Sequence, residues 1–238
     1  MKTSLITNIK KMKNCHIGII LDGNRRWAQE RGLSPTEGHR EGLETAGKII
    51  REAHKKGIGM LTLFVFSTEN WKRPKKEVVF LMGLIQSFFN KEFKKEKKSF
   101  LFDKIKIRVV GERDKISSKI NKIIERVEEK TRKNKEMILN IALSYGGRSE
   151  ILGVIKKAVR DGISEKEVTE DYVKKNLLAP DMDLIIRTGK EKRLSNFFIW
   201  QAAYSELYFL DKYWPDFNEK DLGEALDYYK KRQRRFGE

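Results

Sequence analysis

Short apolar runs alternate with longer amphipathic stretches along this chain, and that alternation predicts a parallel sheet covered by helices. His16 to Leu21, Met60 to Phe66, Ile105 to Val110 and Met137 to Ser144 read as buried strands, with Asp183 to Arg187 as a fifth. Glu37 to Lys56 sets Leu43, Ala46, Ile49, Ile50 and Ala53 at helical spacing and ends at Gly57, a C-cap residue. Lys76 to Glu96 carries Val78, Val79, Leu81, Met82, Leu84, Ile85, Phe88, Phe89 and Phe93, a stripe too wide for one buried face. That helix is either sandwiched between the sheet and a neighbour or forms a wall of a hydrophobic tunnel, and both can hold together. Ser117 to Lys133, Glu150 to Arg160 and Asp221 to Arg235 read as further helices, the last with Leu222, Ala225, Leu226 and Tyr229 on one face. No repeat or Gly/Ser linker divides the chain. The expectation is α/β: a basic segment over 1–15, then a single domain over 16–238 with a central, mostly parallel sheet flanked by helices.

Charge adds a class of partner. Fifty-one lysines and arginines against 34 acidic residues give a formal charge of +17, which favours anions but does not choose among nucleic acid, an anionic membrane and phosphorylated small molecules. Runs such as Lys94 to Lys98 and Lys230 to Arg235 read as solvated faces. Cys15 is the single cysteine, so an intrachain disulfide and a cysteine-based zinc cluster are excluded, and a reducing, cytoplasmic setting fits. The N-terminus lacks the apolar core of a secretory signal. The longest apolar run, Leu61 to Phe66, falls far short of the roughly 20 residues of a membrane span. A soluble or peripheral protein is expected.

In an open α/β sheet the loops at the carboxyl ends of strands form the ligand crevice, and three such loops here are rich in chemistry. The first, Asp22-Gly23-Asn24-Arg25-Arg26-Trp27, offers a hard oxygen ligand suited to magnesium, a glycine permitting close backbone approach and donors for phosphate oxygens; a plain Asp-Gly turn is the alternative. The second, Ser67-Thr68-Glu69-Asn70-Trp71-Lys72-Arg73, reads either as part of a shared site or as a capped turn. The third runs from Arg187 through Arg193, Leu194 and Ser195, with spacing that can grip a diphosphate. Glu206, among apolar and aromatic neighbours, needs a cation, either magnesium or an arginine. GxGxxG after a strand, GxxxxGK[ST], HExxH and DDxxD are all missing. The three histidines, His16, His39 and His54, are too scattered for a clear metal site.

With these segments read, the chain resembles the cis-prenyltransferases, the undecaprenyl diphosphate synthase family, from His16 to Gly237. LDGNRRWA at 21–28, GH at 38–39, FSTENWKRP at 66–74, YGGRSEI at 145–151, DLIIRTG with RLSNF within 183–197 and WQAAYSELYF at 200–209 occur in the family's order. The resemblance implies an enzyme that joins isopentenyl diphosphate to an allylic diphosphate, such as farnesyl diphosphate, with cis geometry and Mg2+. A long Z-polyprenyl product of about eleven units is the default it carries, with shorter cis products as the alternative. It implies that Asp22 and Glu206 hold the metal. Arg26 with the backbone of Gly23, Asn24 and Arg25, beside Trp27 and His39, binds the allylic diphosphate. Ser67, Thr68, Glu69, Asn70, Trp71 and Arg73 line the substrate junction, and Arg187, Arg193 and Ser195, with Leu194 between them, bind isopentenyl diphosphate. Asn70 is the position assigned to proton removal, although a neutral amide is a weak base and a diphosphate oxygen can take the proton instead.

Pro35, Lys190 and Lys192 depart from the family's usual arginine, glycine and histidine, which bears on one diphosphate contact and the metal shell. The resemblance also implies a homodimer whose Arg235-Phe236-Gly237 reaches the other subunit's site, against the alternative of a frayed basic tail. The bulk of Val65, Met82, Leu84, Phe88, Phe89 and Leu139 is expected to set tunnel volume and product length. A basic surface and an apolar product together suggest transient contact with an anionic membrane. The rival class, a nucleic-acid-binding protein, lacks any recognisable module, so no nucleic-acid partner is expected.

Overall fold

Parallel strands buried on both faces need helices on both sides, and the chain supplies them. The computed structural model describes residues 12–94 and 99–232. Strands β1 (His16–Ile20), β2 (Met60–Ser67), β3 (Ile105–Val110), β4 (Met137–Tyr145), β5 (Leu184–Arg187) and β6 (Glu206–Phe209) form one sheet in the order β3-β4-β2-β1-β5-β6, every pairing parallel. The helices are α1 (Asn24–Glu30), α2 (Pro35–Lys55), α3 (Lys75–Lys94), α4 (Phe100–Lys104), α5 (Ser118–Thr131), α6 (Gly147–Arg160), α7 (Glu170–Asn176) and α8 (Glu219–Lys231). The expected strands and helices are present with bounds shifted by up to three residues at the described ends. Helices α1, α4 and α7 and strand β6 were not anticipated. The expected ends of α3 and α8, both named lysine-rich runs in part, and Arg235-Phe236-Gly237 lie outside the described residues.

Side-chain alternation divides the core. Ile17, Ile19, Leu61, Leu63 and Leu139 project into the larger apolar cluster with Ile49 and Ile50 of α2, Ile85 and Phe89 of α3, Ile124 of α5 and Leu222 and Leu226 of α8. Ile20, Phe64, Ala142 and Ile185 project into the smaller one with Phe197 and Phe198. Of the expected basic segment 1–15, residues 1–11 lie outside the described residues, but Met12 and Cys15 are buried in the larger cluster. The ordered core therefore begins before residue 16.

A buried polar ladder crosses the second face. Asn140 Nδ2 donates to Thr62 Oγ1 (3.0 Å), and His16 Nε2 lies 2.7 Å from that oxygen. His16 Nδ1 lies 3.0 Å from the Pro180 carbonyl. With Nδ1–H donating to the carbonyl and the Thr62 hydroxyl donating to Nε2, a neutral imidazole uses both ring nitrogens. Burial favours the same form and lowers the His16 pKa below its ordinary 6.5, with the carbonyl bonds opposing. His16 is thus structural.

Candidate active site

Strand order reverses direction at β1: the chain leaves β1 toward β2 on one side and returns as β5 on the other. Ligand crevices open at such switch points, outside the strands' carboxyl ends. Ile20 pairs in register with Arg187, so the loop after β1 faces the end of β5. There Asp22 Oδ1 accepts from Arg26 Nη2 (2.9 Å) and Asp22 Oδ2 from Arg187 Nη2 (2.8 Å). Arg187 Nη1 also donates to Ser195 Oγ (2.7 Å) and to the Arg193 carbonyl. Arg187 is 3% exposed, and its buried Nε has no partner among the described residues. A guanidinium fork fixed in this way at the cavity wall suits a phosphate oxygen.

Two glycines make this approach possible. A Cβ on Gly189, whose φ is +92°, would meet Asp22 Cγ at 2.7 Å, which accounts for the RTG segment. A Cβ on Gly38 would meet the Asn24 carbonyl oxygen at 2.1 Å, so the glycine of the GH pair lets α2 cross against α1. Thr188 completes the fit: its Oγ1 accepts from the Asp22 amide (3.1 Å) and donates to the Asp22 carbonyl (2.8 Å).

The loop after β2 closes the other side. Ser67 caps the turn Thr68–Lys72, with Asn70 Oδ1 accepting from the Ser67 amide (3.2 Å). Trp71 Nε1 donates to Ser144 Oγ (2.9 Å) and its ring packs edge-on to Phe66, so Trp71 holds the loop. Arg73 Nη1 donates to Glu77 Oε1 (3.0 Å), Arg25 approaches Glu77 Oε2 (3.8 Å), and His39 Nε2 lies 3.3 Å from Oε1. Burial lowers the His39 pKa, against the pull of Glu77. Glu77 thus gathers three predicted site residues. Its i,i+4 spacing from Arg73 was the available sequence signal.

An apolar cavity of about 560 Å³ opens beneath these loops, large enough for a small-molecule substrate. Asp22, Gly23, Asn24, Arg25, Arg26, His39, Ser67, Asn70, Arg73, Arg187 and Ser195 line it, with Leu43, Ala46, Val65, Leu81, Leu84 and Ile85 beyond. Of the residues expected to set tunnel bulk, Val65 and Leu84 face the cavity. Met82, Phe89 and Leu139 are packed in the core, and Phe88 lines a neighbouring groove along α2 and α3 that shares Leu43 and Leu84 with the cavity. Helix α3 is therefore both sandwiched and a cavity wall.

Several expected site residues stand apart from the cavity wall. Trp27 turns outward, donating from Nε1 to Asp216 Oδ1 (2.7 Å). Thr68 Oγ1 donates to Glu69 Oε2 (3.1 Å), and Glu69 Oε1 accepts from Asn196 Nδ2 (2.9 Å) at the rim. Arg193 Nη1 donates to Glu191 Oε2 (2.7 Å), while Glu191 Oε1 accepts from Arg26 Nη1 (3.0 Å); Glu191 thus ties together two arginines that were read as separate. Leu194 packs against the smaller core cluster.

Glu206 stands apart from Asp22 within the chain. It pairs in register with Leu184 at the amino end of β5, whereas Asp22 lies beyond the level of Arg187. Three strand steps, roughly 10 Å, separate the two levels, so the fold does not bring Glu206 to Asp22 within the chain. Its carboxylate accepts from Arg232 Nε (3.0 Å), the arginine partner that the sequence left open. The departures from the family pattern are accommodated locally. Pro35 starts α2 behind the Ser34/Glu37 capping box. Lys190 takes the left-handed conformation at φ +62° that explains a glycine elsewhere, with Nζ 3.8 Å from Glu30 and over the Tyr213 ring. Lys192 is exposed.

Among the described residues no three His, Cys, Asp or Glu side chains converge as a metal cage. One carboxylate flanked by arginines instead suits a divalent cation whose shell is completed by phosphate oxygens of a substrate.

Known proteins resemble this chain in sequence and in fold. A family model for undecaprenyl diphosphate synthase matches residues 20–237. The isoprenyl transferase of Fusobacterium nucleatum is 45% identical over 224 residues, 93% of this chain and 95% of that protein. The (2E,6E)-farnesyl-diphosphate specific ditrans,polycis-undecaprenyl-diphosphate synthase of Buchnera aphidicola is 45% identical over 238 residues, 96% of this chain and 93% of that one. A crystal structure of lavandulyl diphosphate synthase from Lavandula x intermedia, in complex with dimethylallyl diphosphate, matches with a TM-score of 0.89 at 36% identity, covering 96% of this chain and 100% of that one. In sequence over nearly its whole length, and in fold, the chain belongs to the undecaprenyl diphosphate synthase family of prenyltransferases.

Proposed function

We propose that this chain condenses isopentenyl diphosphate onto farnesyl diphosphate, releasing pyrophosphate and building a long Z-polyprenyl diphosphate of the undecaprenyl type. The observation that carries it is Asp22, held between Arg26 and Arg187 at the mouth of an apolar cavity. Arg26, with the backbone of Gly23, Asn24 and Arg25, binds the allylic diphosphate, and its hydrocarbon lies along Leu43, Val65, Leu84 and Ile85. Arg187, Arg193 and Ser195 hold the diphosphate of isopentenyl diphosphate. When the allylic C–O bond breaks, negative charge grows on the departing pyrophosphate, and fixed guanidinium groups stabilise it as it develops. The apolar wall excludes water from the carbocation while the second substrate's double bond is held close. Asn70 lies at the substrate junction, and with one lone pair of Oδ1 committed to the Ser67 amide it orients there while a diphosphate oxygen serves as proton acceptor. Magnesium, held by Asp22 and the substrate oxygens, would neutralise charge on the leaving group.

Incubation with farnesyl diphosphate, labelled isopentenyl diphosphate and magnesium tests this reading. Long labelled polyprenols are expected after dephosphorylation, and their loss with a chelator. Short labelled products would retain the prenyltransferase reading and correct the chain length, whereas no turnover with any allylic primer would reject it.

The working form proposed is a homodimer. Leu152 and Ile155 are each 53% exposed and Val159 is 77% exposed, at i, i+3 and i+7 on one face of α6, and an apolar stripe of that kind seeks a partner. A second copy covers it by symmetry. Light scattering is expected to give twice the 27.9 kDa chain mass, and Ile155→Glu with Val159→Glu is expected to halve it. A monomeric wild type would refute the assembly.

A further inference from the structure

The segment after β5 is held in a conformation that its own residues do not prefer. Ser195 (φ +50°), Asn196 (φ +65°) and Phe198 (φ +40°) all lie in the left-handed region, which disfavours side chains other than those of glycine and, to a lesser degree, asparagine. Something outside the segment must hold it there. The contacts of Asn196 supply that hold. Its Nδ2 donates to Glu69 Oε1 in the loop after β2 (2.9 Å). Its Oδ1 accepts from the Arg148 amide (2.9 Å), and its backbone carbonyl accepts from the Gly147 amide (2.8 Å), both in the first turn of α6 after β4. One residue therefore joins the loops at the ends of three strands. The neighbouring Ser195 is the residue whose Oγ accepts from Arg187.

We propose that Asn196 is a positioning residue: by tying the β5 loop to Glu69 and to the start of α6, it sets Ser195 and Arg187 at the place where isopentenyl diphosphate is gripped. The inference rests on the prenyltransferase reading, because it names which substrate the link serves. The surroundings support it. A Cβ on Gly146 would meet Asn196 Nδ2 at 2.9 Å and Thr68 Oγ1 at 2.6 Å, so the three loops meet with no room for another side chain. Burial alone would raise the Glu69 pKa, yet the hydrogen bonds it accepts, that from Asn196 foremost, lower it below the usual carboxylate range, as expected if the carboxylate is the acceptor in this link.

The variant Asn196→Gly separates the link from the backbone, since glycine tolerates the left-handed conformation while losing both side-chain bonds. Titration with isopentenyl diphosphate and magnesium, without an allylic primer, is expected to show at least a fivefold rise in Kd. Steady-state KM is expected to rise similarly for isopentenyl diphosphate but stay within twofold for farnesyl diphosphate. Asn196→Asp sets a carboxylate against Glu69 and is expected to lose more. Adding Glu69→Gln reverses donor and acceptor across the same contact and is expected to recover part of that loss, a coupling that general loosening would not produce. An unchanged Kd in the glycine variant, an equal rise in both KM values, or a double variant no better than Asn196→Asp would overturn the proposal. A wild type that binds isopentenyl diphosphate without making polyprenols would count against the function and leave this link to be judged by binding.

Discussion

Asp22→Asn is expected to lower kcat by on the order of a thousandfold, the scale on which preorganised charge at a developing anion acts, with the KM for farnesyl diphosphate moving by less than about tenfold. The substitution preserves shape and one acceptor oxygen but removes the charge that opposes Arg26 and Arg187. Oδ1 and Oδ2 each serve a different guanidinium, so an amide there satisfies one and turns its nitrogen toward the other. Arg187 is nearly buried, and leaving it short of a partner costs stability as well, roughly 1 kcal/mol because Asp22 itself is part-exposed. Steady-state assays beside a thermal melt separate the two effects. Turnover within tenfold of wild type would remove Asp22 from the centre of the mechanism.

Arg187→Lys is expected to raise the KM for isopentenyl diphosphate by roughly ten- to a hundredfold while the KM for the allylic substrate changes little. Lysine keeps the charge, so an effect of this size reports geometry. The guanidinium serves Asp22, Ser195 and the Arg193 carbonyl together, and a single ammonium on a flexible stem cannot reproduce that fork. Initial rates with isopentenyl diphosphate varied at saturating farnesyl diphosphate check it. An unchanged KM would assign diphosphate binding to Arg193 or to backbone groups.

Strands β1, β2, β4 and β5 were legible because parallel strands buried on both faces appear as near-continuous apolar runs, and the edge strand β3 because Ile105, Ile107 and Val109 alternate with half-buried Lys106 and Arg108. Strand β6 was not: Glu206–Phe209 is a four-residue edge strand whose side chains are partly exposed, and it pairs on one side only. Helix α1 was hidden for another reason. Its seven residues begin Asn-Arg-Arg and bury only Ala28, so its order comes from packing against α2, which leaves no periodic trace. Asp22, Asn70 and Arg187 could be found because strand ends in such sheets are where ligands bind. The place of Glu206 was hidden for the complementary reason: without β6 recognised as a strand, nothing indicated that this carboxylate begins it, level with Leu184. Glu77 and Glu191 each have one arginine partner nearby in sequence, but their links to Arg25, His39 and Arg26, and that of Asn196 to Glu69, join distant segments that only the fold introduces.

The carboxylate at the centre of the site is separated from its buried guanidinium by 165 positions of chain. Closing a loop of that length carries a large entropic cost that local contacts cannot offset, so this pair forms only once β5 has docked beside β1. A chain still lacking its last quarter has no diphosphate grip, whatever helices it has formed. Any ligand that bridges the two halves binds the native state and not the partly folded ones. Its binding free energy therefore adds to the stability of the whole fold, so substrate supply and the persistence of the folded protein become thermodynamically linked.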